Sequence, residues 1–223
     1  MNITLDVRVV NMLSAEPSPR STTTNGPQDT PSRTGYHHGS LRAALLDGAR
    51  AMLAERGEAG FSLSALARRV GVSTAAPYRH FADREALLCE IADEGYRTFG
   101  ASLNQAAQDS TSPADAILRL GVAYLRFAAD EPALFDVMFR GGPRASGDGP
   151  PSFRTLLDAV VRAQEADVLP PDQPSAALAR TIWATLHGLA VLDARGGLDK
   201  LGLGAPHERL VAESFASMLR RPE

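Results

Sequence analysis

The chain of 223 residues is 44% hydrophobic, enough apolar material for one substantial core or two small ones. Its formal net charge of −3 argues at first sight against a nucleic-acid partner, but Lys plus Arg against Asp plus Glu count 10 against 9 over residues 1–90 and 13 against 17 over 91–223, which puts the acidic excess in the C-terminal part. The one cysteine, Cys89, excludes an intramolecular disulfide, no apolar run approaches the roughly 20 residues of a bilayer span, and Met1 to Leu13 lacks the basic start and apolar core of a signal peptide, so the chain reads as soluble and cytoplasmic.

Residues 1–35 hold a Ser/Thr/Pro-rich tract, Ser14 to Thr34, without helical or strand period, and read as a disordered arm. This arm is either an inert leader or a segment in which Arg20 and Arg33 touch DNA backbone. Tyr36-His37-His38-Gly39 follows; its histidine pair has no third ligand at sensible spacing, so it reads as linker or backbone contact and not as a metal site. Ser40 is placed to cap a first helix from Leu41 to about Arg56, in which Leu41, Ala44, Leu45, Ala49, Met52 and Leu53 make one apolar stripe and Gly57 ends it.

Phe61 to Phe81 is the most informative stretch. Ser62 is a good N-cap, and Leu63, Leu66, Ala67 and Val70 follow at helical spacing. Gly71 suits the left-handed residue that closes a helix, and Ser73 caps a second short helix running to about His80. The expected unit is helix, tight glycine turn, helix, the arrangement of a helix-turn-helix DNA reader. Between Phe61 and Ala82 there is no Asp or Glu, while Arg68, Arg69, Arg79 and His80 are present, an electrostatic footprint for phosphate. Asp83 caps a fourth helix that carries Leu87, Leu88, Ile91 and Gly95 and runs towards Gln108. Cys89, beside Leu88, reads as a small buried hydrophobe.

From Ser112 onward, prolines divide the chain into helical segments at about 114–129, 132–140, 152–166, 174–194 and 206–220, with a Gly/Pro loop from Gly141 to Pro151. None alternates like a strand, so the expected class is all-α. Ile182, Trp183, Ala184, Leu186, Leu189, Ala190, Val191 and Leu192 leave the 174–194 helix few polar faces, so it needs cover on two sides. A second copy of the chain supplies the outer cover, with Leu210, Val211, Phe215, Met218 and Leu219 of the 206–220 helix completing a four-helix interface in a homodimer.

A scaffold helix, then Ser62-Leu63-Ser64-Ala65-Leu66-Ala67-Arg68-Arg69-Val70-Gly71-Val72-Ser73, then Tyr78-Arg79-His80-Phe81-Ala82-Asp83-Arg84-Glu85-Ala86-Leu87, resembles the tetracycline-repressor-like (TetR) transcriptional regulators. The likeness covers about residues 36–90. Trp183 with His187-Gly188 is similar to a signature of one branch of the family's C-terminal domains. The resemblance implies a helix-turn-helix domain over 36–90, an effector-binding and dimerisation domain over 91–223, a near-palindromic double-stranded DNA operator, and repression relieved by a small molecule. Two positions depart from the family pattern: Pro77 stands where Leu is more usual, and Arg84 where Lys is.

Within the reader, Ser62 and Ser64 at a helix N-terminus suit phosphate, and Arg68, one turn on, extends that contact. Ser73, Thr74 and Ala75 stand at the front of the recognition segment; Ala75 touches a thymine methyl or excludes bulk, and Thr74 also hydrogen bonds. Arg79 is the candidate for a bidentate guanine contact. Tyr78 and His80 hold phosphates, as the resemblance implies; headpiece core is the alternative for Tyr78 and the reading for Phe81. Arg84 preserves the family's cation and strengthens bidentate phosphate contact, whereas Arg69 reads as a solvated or salt-bridged face. For the effector, Tyr124, Phe127, Phe135, Met138, Phe139, Phe153, Leu157, Trp183 and His187 supply bulky surface, with Tyr124, Thr185 and His187 as orienting polar groups. Few buried charges are expected there, so they suit a small hydrophobic ligand that is neutral or weakly polar, and not a phosphorylated one. No glycine-rich phosphate loop, Gly-x-Ser-x-Gly elbow or metal-spaced set is present, so no enzyme and no cofactor are expected. Beside the repressor stand two alternatives: an activator of the same fold, and a helical protein-interaction module that no longer reads DNA.

Overall fold

The computed structural model describes residues 38–140 and 151–216, with backbone alone for 38–40 and 151. The N-terminal arm, the Gly141 to Pro150 loop, and Met218 and Leu219 lie outside the described residues. Those residues hold nine α-helices and no strand: α1 (His38–Arg56), α2 (Leu63–Val70), α3 (Arg84–Gln108), α4 (Pro113–Asp130), α5 (Pro132–Phe139), α6 (Pro151–Glu165), α7 (Ser175–Ala194), α8 (Gly197–Lys200) and α9 (His207–Phe215).

The caps follow from the sequence. Ser62 accepts a hydrogen bond from the Ala65 amide at 3.2 Å and Asp83 one from the Ala86 amide at 2.7 Å, each satisfying a donor that the helix start leaves free. Ser112 does the same for α4 through the Asp115 amide at 3.1 Å, with Pro113 at the first helical position. α2 ends in a left-handed Gly71 (φ 77°), with Val72 N–H bonded to Ala67 O at 2.9 Å and Gly71 N–H to Arg68 O at 3.3 Å, the paired closure that glycine permits. One cap differs from expectation: α1 begins at His38, so Ser40 lies inside the helix rather than ahead of it.

α3 carries two packing faces in succession. Its first half, with Leu87, Leu88 and Ile91, closes the headpiece on Leu45, Ala49 and Met52 of α1, on Leu63 and Leu66 of α2, and on Phe61 and Phe81. Its second half, with Gly95, Phe99, Gly100 and Leu103, packs against α4, α5 and α6. The helix runs unbroken through residues 90 and 91, the expected domain boundary. Two ion pairs clamp α1 to it, Arg42 to Glu90 and Arg50 to Glu94, and the Arg42 guanidinium also lies 5.3 Å from the Phe81 ring centroid.

α4 is the central helix of the C-terminal part, touching α3, α5, α6, α7 and α9. α7 buries Leu178, Ala179, Ile182, Leu186 and Ala190, while Trp183, Ala184, Gly188 and Leu192 stay exposed. Although no unbroken apolar run exists in the sequence, α7 is long and apolar enough by composition to cross a membrane, with 28% of its apolar window buried. It contains Arg180, His187 and Asp193, and one side of it is packed into the helical core.

Close approach decides two glycines. A Cβ on Gly121 of α4 would stand 2.6 Å from Val211 Cγ1 of α9, and Val211 is fully buried and has no flexible end to withdraw. A Cβ on Gly95 would stand 2.6 Å from Met138 Sδ, the adaptable end of a long side chain. Helix propensity favours alanine over glycine by about 1 kcal/mol, whereas overpacking a core costs about 1–3 kcal/mol. Gly121→Ala is therefore expected to lower the urea midpoint measurably and Gly95→Ala to shift it much less; equal shifts would contradict the packing difference.

Candidate nucleic-acid interface and effector pocket

The acid-free stretch leaves most of its polar side chains exposed. Ser62, Ser64, Arg68, Ser73, Thr74, Ala75, Tyr78 and Arg79 are exposed and His80 is half-buried. Tyr78 is 55% exposed, which removes it from the headpiece core, whereas Phe81 is 2% exposed and belongs to it. The second helix of the pair is not an α-helix. Residues 74–76 form turns and Pro77–Arg79 a single 3₁₀ turn, closed by Ala76 N–H to Ser73 O at 3.0 Å, Arg79 N–H to Ala76 O at 3.2 Å and His80 N–H to Pro77 O at 3.0 Å. Pro77 is the physical reason. An α-helix here needs a bond from residue 77 to the carbonyl of Ser73; proline has no N–H to give, and its ring crowds that carbonyl. Pro77 therefore costs the segment its α-helical form and not one hydrogen bond alone.

The arginines separate by partner. Arg69 makes a bidentate pair with Glu55, at 2.7 and 2.6 Å, and is turned along the α1–α2 seam. Arg84 hydrogen-bonds Phe61 O at 3.3 Å, Glu58 O at 2.9 Å and Glu58 Oε1 at 3.0 Å, and stacks 5.8 Å from the Phe61 ring, so its guanidinium already joins the start of α3 to the turn before α2. Arg68 and Arg79 remain exposed for an outside partner. Arg68 also borders a hollow of about 360 Å³ with Arg56, Arg69, Met52 and Ala65. Arg56 was not singled out from the sequence; its place as the last residue of α1 reads as a helix-end cation.

In the C-terminal part the aromatic residues gather around His187. Tyr124 O meets His187 Nδ1 at 3.0 Å; Phe135 stacks on the imidazole with centroids 5.4 Å apart, Phe139 meets it edge-on at 4.8 Å, and Trp183 lies 6.1 Å away. Phe153 reaches the group through Trp183 at 6.3 Å. Phe127 is buried against Phe99 and Met138 against Gly95, so both serve as core beside the group. Burial holds the Tyr124 hydroxyl protonated well above its ordinary range, and burial lowers the His187 pKa, keeping the imidazole neutral.

A pocket of about 340 Å³ opens beside this group. Phe135, Phe139, His187 and Val191 form its apolar wall, Asp136, Arg140 and Arg195 its rim, and Gly57 and Glu58 of the headpiece its far side. Arg140 pairs with Glu58 and with Glu85 in the first turn of α3, while Glu58 also takes Arg84. Four charges thus join the end of α5 to the headpiece. Glu58, Arg140 and Arg195 carry no sequence signal: they lie 82 and 55 residues apart along the chain, and only folding brings them to one pocket.

Comparison with known proteins agrees with both halves. The family model "Bacterial regulatory proteins, tetR family" matches residues 45–91, and the model "Tetracyclin repressor-like, C-terminal domain" matches 117–221. An HTH-type transcriptional regulator of Mycobacterium tuberculosis is 28% identical over 139 residues, 62% of this chain and 68% of that protein. A solved structure of a protein of unknown function from Rhodococcus sp. RHA1 superposes with TM-score 0.70 and 35% identity, over 82% of this chain and 95% of that one. The ketosteroid transcriptional regulator KstR2 of Mycobacterium tuberculosis shares the fold, with TM-score 0.59 and 18% identity over 83% of this chain and 98% of its own.

Two outcomes are expected. Pro77→Ala returns the missing amide, so residues 74–79 should move to helical carbon shifts in NMR spectra; unchanged shifts would show that something other than Pro77 holds the turn. For His187 the folded pKa lies below the ordinary 6.5, so the unfolded chain takes up the proton first as pH falls. The stability associated with His187 is therefore complete above about pH 6.5 and declines below it until the folded pKa is reached. Thermal melts at pH 7.5 and 5.5 should show a smaller acid-side loss in His187→Phe than in the parent; identical losses would contradict the assignment.

Proposed function

Because the chain belongs to the tetracycline-repressor-like (TetR) family and is a DNA-binding transcriptional regulator, we propose that it is a homodimeric repressor released from its operator by a small hydrophobic ligand. The observation that carries the reading is the acid-free stretch from Ser62 to Arg79 with its exposed polar side chains, phosphate donors at the start of α2 and Arg79 free to reach a base. Tyr78, now known to be exposed, serves phosphate in this reading, with His80 beside it.

The dimer is supported by α7, whereas Leu210, Val211 and Phe215 of α9, expected at the interface, are buried inside the protomer. The two helices are neighbours, and α7 leaves Trp183, Ala184, Gly188 and Leu192 exposed on a helix of otherwise core composition. A second copy covers that face and sets two readers at the spacing of successive major grooves. The pocket beside His187 supports ligand control, since its walls come from α5 and α7 and its far side from the headpiece. A ligand that fits one headpiece position better than another shifts the population by that difference in affinity.

The test is a titration of the full chain against its own upstream DNA at two salt concentrations, with Arg79→Ala in parallel. Binding should weaken steeply with salt. The mutant should lose about 1–3 kcal/mol of discrimination between operator and unrelated DNA. Binding to selected genomic fragments that is weak, indifferent to sequence and unchanged in the mutant would leave the protein-interaction module as the better reading.

A further inference from the structure

We propose that the pocket between the headpiece and α5–α7 is a carboxylate site: it takes a small hydrophobic acid, its apolar body on Phe135, Phe139 and Val191 and its carboxylate on His187 and Arg195. The assignment deepens the ligand-release reading and rests on it for its regulatory meaning, though not for the binding itself.

The Tyr124 hydroxyl is buried and protonated, and its partner is Nδ1 of His187 at 3.0 Å. His187 Nδ1 is the hydrogen-bond partner of this buried hydroxyl, and a phenol that accepted from Nδ1–H would leave its own hydrogen buried and unpaired. The Tyr124 O–H therefore donates to Nδ1. A neutral imidazole that accepts at Nδ1 carries its proton at Nε2. His187 lines the pocket, so this relay presents an N–H donor there with its tautomer set from behind.

Arg195, following the last turn of α7, supplies the charge. Among the described residues it makes no ion pair, whereas Arg140 across the pocket is engaged by Glu58 and Glu85. Asp136 is the one wall carboxylate without an ion pair there, and it is exposed on α5. Two donors, one of them held by a buried relay, outweigh one exposed acceptor, so the complementary group is an acceptor with negative charge. The volume of about 340 Å³ suits a small molecule. A carboxylate seated there also competes with Glu58 and Glu85 for Arg140, which carries occupancy to the headpiece.

The test is calorimetric titration of the full chain, without DNA, with octanoate, 1-octanol and octylamine at pH 7.5. Octanoate should bind about tenfold tighter than 1-octanol, a modest return for charge-assisted hydrogen bonds, and octylamine weakest. Arg195→Gln should abolish the preference for the acid while leaving 1-octanol affinity in place, and Tyr124→Phe, which frees the tautomer, should reduce it several-fold. Equal affinity for acid and alcohol, preference for octylamine, a preference that survives Arg195→Gln, or no saturable binding of any of the three would overturn the assignment. Because no DNA is present, these outcomes are independent of the operator titration. Octanoate that binds as expected yet leaves operator affinity unchanged would count against ligand release and not against the carboxylate site.

Discussion

The described structure depends on one helix whose two halves pack against different elements of one continuous core. α3 is 25 residues long, and its apolar positions are divided between the headpiece at its start and the helical bundle at its end. A helix used in this way cannot shift for one partner without shifting for the other, because close-packed interiors transmit displacement and do not absorb it. The glycines along it matter for the same reason: Gly95 lets α5 lie against α3 closely enough for Met138 to fill the space a side chain would take.

On that frame the polar contacts divide by task. Arg42 and Arg50 fasten α1 to α3, Arg69 pairs α2 with α1, and Arg84 fastens the turn before α2, so four cations in the DNA-binding half are engaged in internal geometry. Surface pairs of this kind contribute little stability each. Their effect is positional: they fix α1, α3 and the turn before α2, the scaffold from which a short, poorly regular reader segment is presented. The bridge from Arg140 to Glu58 and Glu85 is different, since it ties the effector half to the turn before α2 and the start of α3, beside a pocket that both halves line.

The neutral imidazole of His187 is the counterpart inside the bundle. Tyr124, Phe135, Phe139 and Trp183 surround it, so one side chain reports on three helices, α4, α5 and α7. Its position was legible from the sequence as one of several bulky or polar residues at helical spacing. Its centrality was not, because spacing along α7 says which face a residue shares and nothing of which aromatic rings arrive from other helices. Phe127 and Met138, equally plausible from the pattern, are buried in the core against Phe99 and Gly95.

The amino-acid sequence by itself determined most of the helices, most of their caps and the charge of the reader, though not the 3₁₀ form of its second element. Ser62, Gly71, Asp83 and Ser112 act through bonds to residues within five positions, and local chemistry of that kind needs no tertiary context. The absence of acid from Phe61 to Ala82 likewise belongs to composition alone. Tertiary structure decided which cations stay available and where a ligand fits. Arg84 looked as free as Arg79 until Glu58 and the Phe61 carbonyl closed on it, and Arg140 and Arg195 acquired a pocket only when α5 and α7 met the headpiece. The physical reason is range: a cap is satisfied within one turn of backbone, whereas an ion pair or a cavity is made by residues whose separation in the chain carries no information about their separation in space.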